Sequence, residues 1–441
     1  MRPTAAVMAV AALGTPFIAS SAHATEPAVP HVWTATWSAS PQPVWGPDFL
    51  FPTNVPPELQ DQTVRQVARV SLGGQRLRIV LSNAYGKEPI TIGKAAVARS
   101  GVGADGAVVE DSQRVVTFGG LEAATILPGA SLESDPVALP LPALAQVTVS
   151  LYLPKPTLVG TFHWDGRQTS WIVRGDQTMV PSLKTDEGGA PSTTARPLLT
   201  GIQVETDQKA SAVAVIGDSI TDGATASLDK DSRWPDFLAA RLTPHGVAVV
   251  NAGISGARLL SDGMGVNALA RLERDVLAQP GVRSVVVMLG INDIAWPGTA
   301  FAREAPRPTL DALTAGYRQL IEQAHSRGLL VIGATLTPFE GALPGSPLED
   351  YYHPDKDALR RQVNAWIRNS GAFDAVIDFD EVLRDPAHPT RMAARFDSGD
   401  RLHPGDKGNQ AMADAVDLDA LLPSLGATAT PAATPAVTSS E

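Results

Sequence analysis

The stretch Ala212-Val-Ala-Val-Ile-Gly-Asp-Ser-Ile-Thr-Asp-Gly223 decides how this chain is read. Its apolar run, Val213 to Ile216, has the make-up of a strand buried on both faces of a parallel sheet. The run stops at Gly217-Asp218-Ser219, where small and polar residues take over. Open α/β sheets bind ligands at the carboxyl ends of such strands, which makes Ser219 a candidate nucleophile. The same tripeptide also suits a plain turn with a helix cap, and alone it says no more than that.

The sequence around it favours the first reading. After a short polar link at 206–212, strand and helix patterns alternate. Strands are expected at Val213–Ile216, Val247–Val250, Val282–Leu289, Leu329–Leu336 and Ala375–Phe379. Helical spacing occupies Trp234–Leu242, Asn267–Leu277, Leu310–Arg327 and Asp355–Arg368, and a last helix is expected through Gln410–Val416. Such alternation predicts βαβ units, a parallel sheet covered on both faces, and an α/β domain over 211–424.

Upstream, 31–205 has a different texture. Gln66–Leu72 and Gln75–Leu81 alternate apolar and polar residues on either side of Gly73-Gly74, which predicts a hairpin. Further strands are expected at Ile90–Ala98, Arg114–Phe118, Val147–Leu153 and Thr169–Val173. Short strands punctuated by Gly and Pro predict a β-sandwich, jelly-roll-like. Trp33, Trp37, Trp45, Trp164 and Trp171 could stack on sugar rings, but filling the sandwich core or the domain junction is the simpler role. His163, in Thr-Phe-His-Trp-Asp, reads as a structural histidine.

Composition narrows the partners. The 441 residues carry a formal charge of -11 with no basic cluster, which argues against nucleic acid and anionic membranes. Residues 1–24 have the pattern of a secretory signal: Arg2, an apolar run Ala5 to Leu13, and Ala22-His23-Ala24 as a cleavage site. The expected product is secreted or periplasmic, with no stable membrane insertion. The chain has no cysteine, so thiol nucleophiles and thiolate metal sites are excluded. The tail, 425–441, is rich in Ala, Thr, Pro and Ser and is expected to be disordered.

Four short blocks follow predicted strands or close the domain: Gly217-Asp218-Ser219, Asn251-Ala-Gly-Ile-Ser-Gly256, Gly290-Ile-Asn292-Asp293 and Asp400-Arg-Leu-His403. Ester cleavage by serine needs a base, a carboxylate that orients the base, and donors for the oxyanion. His403 would be the base and Asp400 its carboxylate. The backbone N–H groups of Ser219 and Gly256 and the amide of Asn292 would be the donors. Spacing does not single out His403, because His325, His353 and His388 also follow an acidic residue by three positions. His388, in Asp385-Pro-Ala-His388, is the serious rival.

These four blocks resemble those of the SGNH, or GDSL, hydrolases, over roughly 211–420. The resemblance implies a flavodoxin-like three-layer fold, hydrolysis of carboxylic esters without a cofactor, and His403 rather than His388 as base. At Leu81-Ser-Asn-Ala-Tyr-Gly86 and Asp397-Ser-Gly-Asp400 the whole chain is similar to exported bacterial members that carry a β domain before the hydrolase, and some carbohydrate acetylesterases of the superfamily also pair a jelly roll with the hydrolase. The expected activity is therefore a serine esterase on short-chain acyl esters, including carbohydrate O-acetyl esters, with a small-molecule or polysaccharide substrate. Lipid or aryl ester hydrolysis and acyl transfer to a sugar use the same residues, and a non-catalytic glycan binder would require a broken site.

Overall fold

The structure, a computed structural model, describes residues 32–103, 106–184, 191–207 and 209–422. The expected leader at 1–24 and tail at 425–441 lie outside the described residues.

The first half is built from antiparallel strands, chiefly β1 (Val32–Ser38), β2 (Gln62–Arg69), β3 (Gly74–Ser82), β4 (Lys94–Arg99), β5 (Gln146–Leu153), β6 (Ser170–Arg174) and β7 (Leu199–Thr206). One sheet runs β1, β7, β3, with Ser131–Glu133 and Val137–Leu141 also paired to β3. The other runs Ser192–Thr193, β6, β2, β5, β4, Arg114–Val116. Val64 and Ala68 of β2, Leu77, Ile79 and Leu81 of β3, and Val149 and Leu151 of β5 share one core between the sheets.

The expected Gly73-Gly74 hairpin does not form. β2 pairs with β5 and β6, whereas β3 pairs with β7 in the opposite sheet. The chain crosses from one sheet to the other at Gly73, where a Cβ would stand 2.1 Å from the Leu141 carbonyl oxygen. Alternation specifies which face of a strand is buried, not which neighbour it pairs with, and both strands bury their apolar faces equally well across the sandwich. The single strand expected at Ile90–Ala98 also divides: Ile90–Ile92 pairs with Ala124–Ile126, and β4 joins the larger sheet.

The second half is a parallel sheet of β8 (Ser211–Gly217), β9 (Val247–Gly253), β10 (Val282–Met288), β11 (Leu330–Ala334) and β12 (Ala375–Ile377), in the order β9, β8, β10, β11, β12. The helices are α1 (Ser219–Asp222), α2 (Trp234–Leu242), α3 (Ala268–Leu272), α4 (Ile291–Ala295), α5 (Leu310–His325), α6 (Pro354–Asn369), α7 (Phe379–Leu383), α8 (Asp406–Asp414) and α9 (Leu418–Leu421). Ala212, Ala214 and Ile216 of β8 face the layer holding α3, α5 and α6. Val213 and Val215 face the layer holding α2 and α8. In α5, Leu313, Tyr317, Leu320, Ile321 and Ala324 recur at helical spacing and form its buried side. This is the three-layer α/β fold expected.

Strand order reverses between β8 and β10, which opens a crevice at their carboxyl ends. Buried Arg271 donates to the carbonyls of Gly217 and Ala252, tying the ends of β8 and β9 together beside that crevice. The edge strand β9 is covered by the first half: Ser38 Oγ donates to the Asn251 carbonyl at 2.9 Å, and the Val249 N–H donates to Ser71 Oγ at 3.0 Å.

Candidate active site

All four blocks meet at this edge of the sheet. Asp218 caps α1, its Oδ1 accepting the Ile220 N–H at 3.0 Å, and Ser219 is the first residue of that helix. The turn-and-cap reading therefore describes the local backbone correctly, and the same turn presents Ser219 at the strand end. Ser219 Oγ lies 2.7 Å from Nε2 of His403.

The loop before α8 folds back on itself. Asp400 Oδ2 lies 2.6 Å from Nδ1 of His403, while Asp400 Oδ1 accepts the N–H groups of Leu402 and His403 at 2.9 and 2.8 Å. Burial alone would raise the Asp400 pKa, but the hydrogen bond and charge of His403, aided by the two N–H donors, outweigh it and hold the carboxyl at about 2. Asp400 is thus a carboxylate at any ordinary pH.

Gly256 sits at φ +73, and a Cβ there would come within 2.8 Å of Met264 Sδ and 2.9 Å of the Trp296 ring. Only glycine suits both the left-handed backbone and that packing. Asn292, in α4, donates from Nδ2 to the Ala257 carbonyl at 3.0 Å and accepts the Tyr351 hydroxyl on Oδ1 at 2.7 Å. Those two bonds fix which end of the amide is nitrogen and leave its second N–H for the cavity that Asn292 lines. Asp293, next in α4, accepts the N–H groups of Leu259 and Leu260 and so anchors the Gly256 loop.

Ser219, Gly256, Asn292, Asp400 and His403 line one cavity of about 570 Å³. Among the described residues, no group of three or more His, Asp or Glu side chains is placed to hold a metal ion.

The second half matches the family model for GDSL-like lipases and acylhydrolases, over residues 213–416. Residues 213–416 are a GDSL-like lipase/acylhydrolase domain. No curated protein matches the chain. Among solved structures, the chain is similar to a GDSL-like lipase from Bacteroides thetaiotaomicron, at 18% identity over 47% of this chain and 87% of that one, with a TM-score of 0.35. It is also similar to a member of the lipolytic G-D-S-L family from Veillonella parvula, at 19% identity over 47% and 96%, with a TM-score of 0.32. An acetyl xylan esterase matches at 20% identity over 46% and 96%, with a TM-score of 0.33.

The rival histidines of the GDSL domain lie elsewhere. His388 is exposed in the turn before Arg391, His325 pairs with Asp374 at the end of α5, and His353 caps α6. Tyr351 and Trp296 both line the cavity, whereas Tyr352 packs edge-on against Phe339.

Some residues around the site were not found from sequence. His163 is buried, as a structural histidine would be, but its Nε2 lies 2.9 Å from Oδ1 of Asp222 at the end of α1. Asp222 Oδ2 accepts both the N–H and the hydroxyl of Ser255, the neighbour of Gly256. Leu50, Phe51 and Trp164 of the first half line the cavity of the GDSL domain. The one sequence signal for the first two was Phe49-Leu50-Phe51 set between prolines, an apolar triplet where a loop is normally polar. No helix among the described residues is long and apolar enough to cross a membrane.

Proposed function

We propose that this protein is a serine esterase that hydrolyses carboxylic esters through an acyl-enzyme on Ser219. One observation carries the reading: Ser219 Oγ, the His403 ring and the Asp400 carboxylate form a continuous hydrogen-bonded line, at 2.7 and 2.6 Å, opening on the cavity.

His403 Nε2 accepts the hydroxyl proton as Ser219 Oγ bonds to the ester carbonyl carbon. Asp400 keeps the other ring proton on Nδ1 and stabilises the imidazolium that forms. The carbonyl oxygen takes up negative charge and is met by the N–H groups of Ser219 and Gly256 and by the Asn292 amide. The C–O bond to the alcohol then breaks, and His403 returns its proton to the departing oxygen. Water, deprotonated by His403, attacks the acyl-enzyme, and the acid leaves with Ser219 restored.

The cavity lining supports apolar esters over O-acetyl sugars. Beyond the reacting groups it consists mainly of Leu, Phe, Trp, Met and Pro side chains. Its Arg167 is committed to the Ala226 carbonyl and to Asp165, which leaves few donors for sugar hydroxyls. Export is part of the same proposal and rests on the pattern of residues 1–24.

The deciding experiment is hydrolysis of p-nitrophenyl esters by the purified protein and by Ser219→Ala. Turnover should fall by roughly 10³-fold or more with the circular dichroism spectrum unchanged. Wild-type turnover by the folded variant would sink the assignment.

A further inference from the structure

Part of the cavity wall above Ser219 comes from outside the GDSL domain. Leu50, Phe51 and Trp164 stand in it together with Trp296 and Phe301. These rings form a continuous chain from one half of the molecule to the other. Trp164 stacks on Phe51 at 5.4 Å and 22°, Phe51 meets Phe301 edge-on at 5.4 Å, and Phe301 stacks on Trp296 at 4.4 Å and 25°.

Residues 45–52 form no helix or strand, yet they are held in place. The Trp45 Nε1–H donates to the Phe51 carbonyl at 2.7 Å, and the Trp164 Nε1–H donates to the Pro52 carbonyl at 2.9 Å. Two indole donors thus satisfy the backbone of this strap and turn its apolar side chains toward the cavity. Leu50 stays 39% exposed there, and Phe51 and Trp164 are only partly covered. Apolar surface kept open beside a nucleophile is stabilised when a ligand covers it.

We propose that the strap Trp45–Pro52 and Trp164 form a specificity wall that binds the apolar part of the ester, an alkyl chain of medium length or an aryl ring. This rests on the esterase reading above. Each methylene that reaches the wall adds to transition-state binding, about fourfold at full burial.

The test has two arms. In the first, kcat/KM is measured for p-nitrophenyl acetate, butyrate, hexanoate and octanoate, and for methyl, hexyl and phenyl acetate. At least one series should rise by about tenfold or more toward the larger group, and Phe51→Ala should reduce that preference by about tenfold. A flat or falling profile in both series overturns the wall, and so does a Phe51→Ala loss that is equal for every ester. Should Phe51→Ala fail to fold, Leu50→Ser, at an exposed position, should reduce the same ratio by a smaller factor. In the second arm, 1-octanol is titrated calorimetrically into Ser219→Ala, where saturable binding is expected and should be lost on adding Phe51→Ala. Absence of binding overturns the wall whether or not Ser219 is the nucleophile. Ester turnover persisting in Ser219→Ala would instead remove the esterase reading and leave the octanol result to judge the wall.

Discussion

The imidazole of His163 and the carboxylate of Asp222 are separated by 59 residues of sequence and by 2.9 Å in space. Both are buried, and the second ring nitrogen, Nδ1, lies 3.0 Å from the Ser40 carbonyl. Both ring nitrogens thus face oxygen acceptors, and the ring is the buried partner of the Asp222 carboxylate. Burial opposes charge on Asp222, but the charge and hydrogen bond of His163 and the bond from Ser255 outweigh it and hold its pKa below the usual carboxylate value. The β half of the chain thereby braces the loop that presents Gly256. His163→Leu should strand a buried carboxylate and cost roughly 3–5 kcal/mol of stability. Surviving folded protein should show a lower kcat with KM little changed, and His163→Gln, which keeps one donor, should recover part of it. Thermal unfolding and steady-state kinetics check both effects; a variant with unchanged melting temperature and kcat would show that the brace is idle.

Tyr351 governs the orientation of Asn292. Without its hydroxyl, the amide loses the acceptor contact that fixes its rotation. Tyr351→Phe should lower kcat by about tenfold with little change in KM, whereas Asn292→Ala, which removes the donor itself, should lower kcat by about 10²–10³-fold. The ordering matters more than either value. A Tyr351→Phe variant as impaired as Asn292→Ala would mean that the hydroxyl acts on substrate directly.

Loss of the base is expected at His403 and not at His388. His403→Ala should reduce kcat by roughly 10³-fold or more, because Ser219 Oγ then has no proton acceptor at 2.7 Å. His388→Ala, at an exposed turn, should stay within about twofold of wild type. The reverse pattern in a standard ester assay would overturn the choice.

Stability should depend on pH through the carboxyl behind the nucleophile. Asp218 is fully buried and its Oδ2 has no partner among the described residues. Burial pushes its pKa from 3.8 to about 7, and that of Asp293 from 3.8 to about 6. A carboxyl whose pKa is raised by folding contributes most below its unfolded pKa, and that contribution is lost as pH climbs through the folded value. Wild type should therefore lose stability between about pH 4 and 7 from these two groups. Asp218→Asn keeps the acceptor for the Ile220 N–H but cannot ionise, so its stability relative to wild type should be greater at pH 8 than at pH 5. Urea unfolding at the two pH values measures the difference; equal differences would mean that Asp218 does not titrate in this range.

Much of the hydrolase half was legible because its signals are local. Val213–Ile216 is too apolar for anything but a buried strand, the spacing of Leu313, Tyr317, Leu320, Ile321 and Ala324 requires a helix, and small residues after each strand mark the loops. The β half was read less well for the same reason. Alternation around Gly73-Gly74 fixed the faces of β2 and β3, but their partners are chosen by packing of residues far away in sequence, such as Leu199–Thr206 and Gln146–Leu153.

From the sequence alone came the strand ending at Gly217, the four blocks and the candidates Ser219, Gly256, Asn292, Asp400 and His403, because each depends on neighbours a few residues away. Choosing His403 over His388 rested on the resemblance, and it is the His403 ring that lies 2.7 Å from Ser219 Oγ. Only the tertiary structure could decide that His163 reaches Asp222, that Tyr351 sets the Asn292 amide, and that Phe51 and Trp164 line the cavity. Those contacts join elements distant in the chain, and the packing of the two halves against each other, not any local pattern, brings them within bonding distance.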